Sequence, residues 1–331
     1  MTPIWGRIVE LLQEEHRLAL VSILETQGST PREAGARMLV LADGRYSGTI
    51  GGGALEWQAI GAAQAALAGP GNGVVIRDFA LGPELGQCCG GRLKLAIERL
   101  GRSDLALAEQ LAVLEVEAPV ATVTQPAASG WQRRIATPAE TAALGTLPAL
   151  RLPDGGLLQL FGDERAPLYL FGAGHVGRAL VLALAPLPFC LTWIDPRPTA
   201  FPVRVPGNVV LQQPEDPVGC LIAAPDNALI VVMTHSHALD LDIVAAALSA
   251  RRFPYIGLIG SQTKRARFLR RLREVSLGEA AEQHLVCPIG LNTIRSKLPA
   301  AIAAGIAADL LVRREQAAAM QRPAADRRAH G

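Results

Sequence analysis

Apolar positions recur at two spacings along the chain. Ile4, Ile8, Val9, Leu11 and Leu12 share one helical face, which predicts a helix over 3–16 that opens at Pro3. The run LALVSILET (18–26) and the run ARMLVLA (36–42) are strand-like. Asp43-Gly44 follows the second run, a strong two-residue hairpin signal, and 45–50 returns as the partner strand. A helix is expected over 54–67, strands over 74–81 and 92–97, and a helix over 104–117. From Pro119 to Pro167 the pattern loses its period and prolines recur, so 116–166 is expected to be a Pro/Gly/Ala-rich connector with edge strands.

Regular alternation resumes at Leu168. Four apolar residues run into Gly172-Ala173-Gly174-His175-Val176-Gly177, an Ala/Leu-rich helical stretch follows, and 190–194 forms a second apolar run ending on Asp195. Strand, glycine turn, helix, strand and acid together form a dinucleotide-type unit. Its glycines serve a tight turn, approach of the backbone to a phosphate, and helix–strand packing. Strands at 208–212, 228–234, 255–259 and 285–288, with helices at 239–250, 263–275 and 299–320, extend the alternation. The expected fold is α/β. A C-terminal Rossmann-like, doubly wound, mainly parallel sheet spans 167–320, beside an N-terminal α+β domain over 1–115. Residues 321–331 have no periodicity and are expected to form a disordered tail.

Composition narrows the class. Half of the 331 residues are hydrophobic, 19% are charged and the net charge is +2, so no polyanion-binding field is implied and a nucleic-acid partner is not expected. Five cysteines do not make a disulfide framework, which suits a reducing compartment. The opening residues read as the start of a helix, not as a signal peptide, and no run has membrane-span length, so a soluble cytoplasmic protein is expected.

Several stretches carry candidate chemistry. Gly51-Gly52-Gly53 opens a helix with Glu56 in its first turn, an arrangement in which successive N–H groups can converge on an anion. A tight strand-to-helix turn is the plainer alternative. Cys88 and Cys89 lie between glycines on a loop; they suit a soft metal or sulfur transfer better than zinc, and two idle thiols are the alternative. At the turns of the parallel sheet, Gly172, Gly174, His175 and Gly177 are candidates for a phosphate and Asp195 for a ribose hydroxyl. His235 and His237 make an incomplete metal site and are candidate polar ligand contacts, with helix capping at this turn as the alternative; Ser261 can cap the next helix or, with Lys264, make a further phosphate contact.

Three stretches taken together identify a resemblance: Gly28–Met38 with Gly48–Glu56, Leu85–Gly91, and Phe171–Gly177. Further matches are Thr234–Asp242, Tyr255–Arg265 and Cys287–Leu291, and Ile294–Lys297 differs from the family pattern by Ser296 in place of glycine. In this combination and order the chain resembles the bacterial xanthine dehydrogenase accessory proteins, the XdhC/CoxI family. The resemblance implies a molybdenum cofactor (molybdopterin) chaperone and not an enzyme. Such a protein holds the cofactor during sulfuration by a cysteine desulfurase and inserts it into apo-xanthine dehydrogenase. It further implies contact with a molybdenum cofactor biosynthesis protein, a homo-oligomer, and no membrane partner. Cys88 and Cys89 would then face the molybdenum or the sulfur, and a nucleotide could occupy the Rossmann turn. The competing classes are an NAD(P)-dependent oxidoreductase using the 172–177 turn and a redox-sensing regulator using the cysteine pair.

Overall fold

The computed structural model describes residues 3–70, 72–81, 90–128, 130–162 and 164–321. Cys88, Cys89 and the segment 322–331 lie outside the described residues. The chain divides into two compact units, 2–164 and 165–331.

In the first unit, helix α1 (Ile4–Glu14) buries Ile8, Leu11 and Leu12 of the predicted face, leaves Ile4 and Val9 half-buried, and adds Trp5 to the core. Among the described residues, five antiparallel strands form a sheet in the order β3-β2-β1-β5-β4. They are β1 (Arg17–Gln27), β2 (Arg37–Val40), β3 (Tyr46–Gly48), β4 (Gly73–Ala80) and β5 (Arg92–Gly101). Gly44 turns the β2–β3 hairpin at φ +88°, the left-handed conformation the sequence signal anticipates. Residues 18–24 of β1 are buried without alternation because both sheet faces are covered. Ala19, Val21 and Ile23 pack on Leu55, Ala59 and Ala63 of α2 (Gly53–Leu67). Leu18 and Leu20 pack instead with Trp5, Leu12 and Phe161.

The segment expected as a connector is built differently. After α3 (Leu105–Glu117) come β6 (Val120–Ala127), β7 (Gly130–Ile135), α4 (Pro138–Ala143), β8 (Ala149–Arg151) and β9 (Leu157–Phe161). The strands form an antiparallel sheet in the order β7-β6-β9-β8, and its residues belong to the first unit. The apolar period is weak here because polar side chains lie inside. Thr122, Thr124 and Gln159 are buried, and Arg133 of β7 forms a buried ion pair with Glu98 of β5. Burial holds the Arg133 guanidinium below its ordinary value, and the nearby carboxylates of Glu98 and Asp104 offset this only in part.

In the second unit, six parallel strands are ordered β12-β11-β10-β13-β14-β15 among the described residues. They are β10 (Ala166–Phe171), β11 (Phe189–Ile194), β12 (Val209–Gln212), β13 (Leu229–Val232), β14 (Tyr255–Leu258) and β15 (Leu285–Val286). This is the dinucleotide-fold order, with the direction of winding reversing between β10 and β13. Helices α5 (His175–Leu184) and α9 (Pro299–Gln321) cover one face through Leu180, Val181, Ile306 and Leu310. Helices α6 (His237–Ala250), α7 (Gln262–Glu274) and the short α8 (Gly278–His284) cover the other through Ile243, Leu248, Phe268 and Ala281.

Candidate functional site

The carboxyl ends of β10, β11, β13 and β14 bring together Gly172–Gly177, Asp195, His235, His237, Ser261 and Lys264. Open α/β sheets bind ligands at this edge. The three glycines of the β10 turn have separable reasons. Gly172 sits at φ +115°, and a Cβ there would lie 2.3 Å from the Met233 carbonyl oxygen at the end of β13. A Cβ on Gly177 would lie 2.3 Å from the Gly172 carbonyl oxygen, so this glycine seats the helix on the turn. Gly174 has an ordinary φ of −73°, and a Cβ there would meet nothing within 4 Å. Neither strain nor protein packing requires glycine at 174, and the space outside its Cα is open. The N–H groups of the first turn of α5 have no intrahelical partner.

The turn is held from β11. Gly172 N–H donates to the Ile194 carbonyl at 2.8 Å, and Trp193 Nε1 donates to the Gly172 carbonyl at 3.0 Å. Ala173 N–H donates to Asp195 Oδ2 at 2.8 Å. The same carboxylate accepts Arg197 Nε on Oδ1 at 2.9 Å and Arg197 Nη2 on Oδ2 at 2.7 Å. Arg197 N–H adds a further bond to Oδ1 at 3.1 Å. Asp195 is 1% exposed. Burial pushes its carboxyl up, but the bonds from Arg197 and Ala173 N–H outweigh that and leave it below the usual range. The expectation that Asp195 serves a ribose hydroxyl is therefore corrected: its acceptor sites are filled from within the protein. Arg197, two residues beyond, was missed. The Asp-x-Arg spacing after the strand was the available signal.

At the end of β13, Ser236 caps α6 by accepting Leu239 N–H at 3.3 Å. Asp240 is 0% exposed; its Oδ1 accepts Thr234 N–H at 2.9 Å and Thr234 Oγ1 at 2.8 Å. Lys264 Nζ donates to Asp240 Oδ2 at 2.6 Å. The ammonium of Lys264, a candidate phosphate contact from the sequence, is held by this buried carboxylate. Ser261 caps α7 by accepting Lys264 N–H at 3.2 Å. His175, His235 and His237 are exposed along the edge. No cluster of three or more His, Cys, Asp or Glu among the described residues could hold a metal ion.

In the first unit an anion of the protein's own, the Glu56 carboxylate, lies against the residues that lead into the glycine triplet. Glu56 Oε1 accepts Thr49 Oγ1 at 2.5 Å and Ile50 N–H at 3.0 Å, and Gly51 N–H donates to Thr49 Oγ1 at 3.2 Å. Burial pushes the Glu56 carboxyl up, while these donors more than offset it and hold it low. A phosphate at Gly51, Gly52 and Gly53 would meet this charge, so the turn fits an external anion less well than the spacing suggested. All three glycines have positive φ, the conformation that admits few other residues. Three motif stretches meet at this end of the sheet. Pro31 lies against Gly51, where a Cβ would come within 2.4 Å of its Cγ, and Gly90 bridges to Ser29. Cys88 and Cys89 immediately precede Gly90 and are outside the described residues.

Residues 168–310 match the family model of the XdhC Rossmann domain, and residues 11–78 match that of the XdhC and CoxI family. Over 316 residues the chain is 26% identical to the uncharacterized Escherichia coli protein YqeB, covering 93% of this chain and 46% of that protein. The chain thus spans about half the length of that relative. It is 24% identical to the E. coli molybdenum cofactor insertion chaperone PaoD, covering 86% of this chain and 79% of PaoD. It is 25% identical to a Bacillus subtilis protein described as a probable xanthine dehydrogenase component, covering 93% and 96%. A crystal structure described as a xanthine dehydrogenase from Bacillus halodurans superposes with a TM-score of 0.73 at 21% identity, covering 94% of this chain and 96% of that one, which shows a shared fold.

Proposed function

The chain belongs to the XdhC and CoxI family, and from that premise we propose that it is a molybdenum cofactor chaperone serving an apo-enzyme of the xanthine dehydrogenase kind. The observation that carries this reading is the Gly174 turn. It leaves open space beside free helix N–H groups at the edge where this fold binds phosphates, and molybdopterin carries a phosphate. The likeness to PaoD supports insertion as the task.

In this reading Gly172 and Gly177 shape the turn, and the first-turn N–H groups of α5 hold the phosphate. His175, His235 and His237 line the rest of the ligand. Ser261, Lys264 and Asp195 act indirectly, by fixing the turns. When bound, the cofactor supplies the molybdenum and dithiolene sulfur that the recipient enzyme uses. Cys88 and Cys89, on the first unit's glycine-bracketed stretch, are the candidate thiols for the metal or for sulfur handling during sulfuration by a cysteine desulfurase. Glu56 organises the first unit's glycine turn. A homo-oligomer, cytoplasmic location and contact with a cofactor biosynthesis protein complete the proposal. The oxidoreductase alternative is less well supported. His235 and His237 make no side-chain hydrogen bond among the described residues, so neither is paired for proton transfer.

The test is anaerobic purification from a host that synthesises the cofactor, followed by metal analysis and fluorescence of the oxidised pterin. Molybdenum and pterin together are the expected result. Absence of both, while apo-xanthine dehydrogenase is being matured, would overturn the proposal.

A further inference from the structure

We infer that Arg197, clamped by buried Asp195, makes the β10–β11 end of this site selective for a phosphomonoester over a ribose diol. The inference rests on reading this edge as the phosphate site, and not on delivery of a cofactor to any enzyme.

An acid at the end of the second strand normally accepts the ribose hydroxyls of a dinucleotide. Here that acid is present but occupied. An ionised carboxylate offers about four lone-pair sites. Asp195 uses its oxygens on Ala173 N–H, Arg197 N–H, Arg197 Nε and Arg197 Nη2, and is 1% exposed. A ribose diol arriving there would find no acceptor and would leave its own hydroxyls unpaired.

The same contacts offer a different group to a ligand. Arg197 is 43% exposed on its side chain, and its guanidinium is fixed along one edge by the two-point contact with Asp195. Its Nη1 makes no bond to the protein among the described residues. A planar guanidinium presents its N–H groups as a fork that matches phosphate oxygens. Most arginines lose side-chain freedom on binding; the clamp has already removed it here. Asp195 also ties Arg197 to Ala173, so the fork and the Gly174 turn are positioned by one carboxylate. The pair is neutral overall, and the attraction for phosphate comes from the outward donors together with the α5 N-terminus. Arg178, the other arginine of the turn, is engaged on the carbonyls of Ala173 and Ala200.

Two sources share this chemistry, the phosphate of a pterin cofactor and the 2′-phosphate of a dinucleotide. Titration calorimetry on the full chain separates them with two matched pairs. One is adenosine 2′,5′-bisphosphate against adenosine 5′-monophosphate. The other is a 6-alkylpterin with and without its phosphomonoester. In at least one pair the phosphorylated member is expected to bind about ten- to a hundred-fold more tightly, the range for a charge-assisted contact. The pair that discriminates names the source. Arg197→Ala is expected to erase the preference and, by freeing Asp195, to favour adenosine 5′-monophosphate. Arg197→Lys, which keeps the charge but not the fork, is expected to fall between. No preference in either pair with the unaltered protein overturns the inference before any variant is made. A preference that survives in folded Arg197→Ala overturns it too. Molybdenum retention without discrimination sinks this inference alone; discrimination without molybdenum sinks the chaperone reading alone.

Discussion

Lys264 places its ammonium nitrogen 2.6 Å from Asp240 Oδ2, and the Asp240 carboxylate is wholly enclosed. The pair joins the first turns of α6 and α7, and Thr234 supplies the remaining donors from the end of β13. Removing one partner of a buried pair leaves the other without compensation, at about 3–5 kcal/mol. Asp240→Ala should destabilise the second unit by that amount in chemical denaturation. A loss below about 1 kcal/mol would mean that water, not the ion pair, satisfies this region.

Gly174 and Gly177 should separate function from folding. A methyl on Gly177 meets the Gly172 carbonyl, so Gly177→Ala should lower stability by about 1–3 kcal/mol. Gly174→Val extends into open space and should melt close to the parent while losing cofactor retention. Equal retention in folded Gly174→Val would remove the turn from the binding site.

Glu56 should make the first unit acid-labile. Its carboxyl is held below its ordinary 4.5 in the folded protein. The stabilisation is therefore complete above 4.5 and is lost as the pH falls through the lower folded value. Glu56→Gln should flatten this part of the melting temperature against pH. An unchanged acid limb in the variant would assign the lability to other carboxylates.

Cys88 and Cys89 sit on the one candidate stretch whose placement is not described. Replacing both with alanine should weaken cofactor retention or sulfuration and leave the melting temperature little changed. Full maturation of xanthine dehydrogenase by the double variant would make the pair idle.

The parallel sheet was legible because its signals are local. Buried strands read as apolar runs, and Gly172, Gly174 and Gly177 stand at fixed spacing behind one of them. In the sheet of β6 to β9 the sequence showed edge strands but not their joining into one sheet of the first unit, since Thr122, Thr124, Gln159 and Arg133 point polar groups inward and erase the alternation. Site residues divided by the same logic. The glycines and the edge position of His235 follow from local pattern. What Asp195, Glu56 and Lys264 touch does not, because each finds its partner inside the protein and a sequence position says only what a side chain could bind. Asp195 reads as a ligand contact until Arg197 and Ala173 are seen to fill it.

Glu115 of α3 accepts the N–H groups of Ile4 and Trp5 at 3.1 and 2.8 Å, and the Trp5 ring lies 4.9 Å from that of Phe161. The first helix is thus finished by residues made long after it. On a ribosome, a nascent chain released only as far as β5 has paired its central strands but has neither the cap for α1 nor the aromatic partner that closes over it. Both arrive by Phe161, five residues before β10 begins. The order of synthesis completes the first unit as the parallel sheet starts to emerge, so the two halves need not compete for partners while the chain is being made.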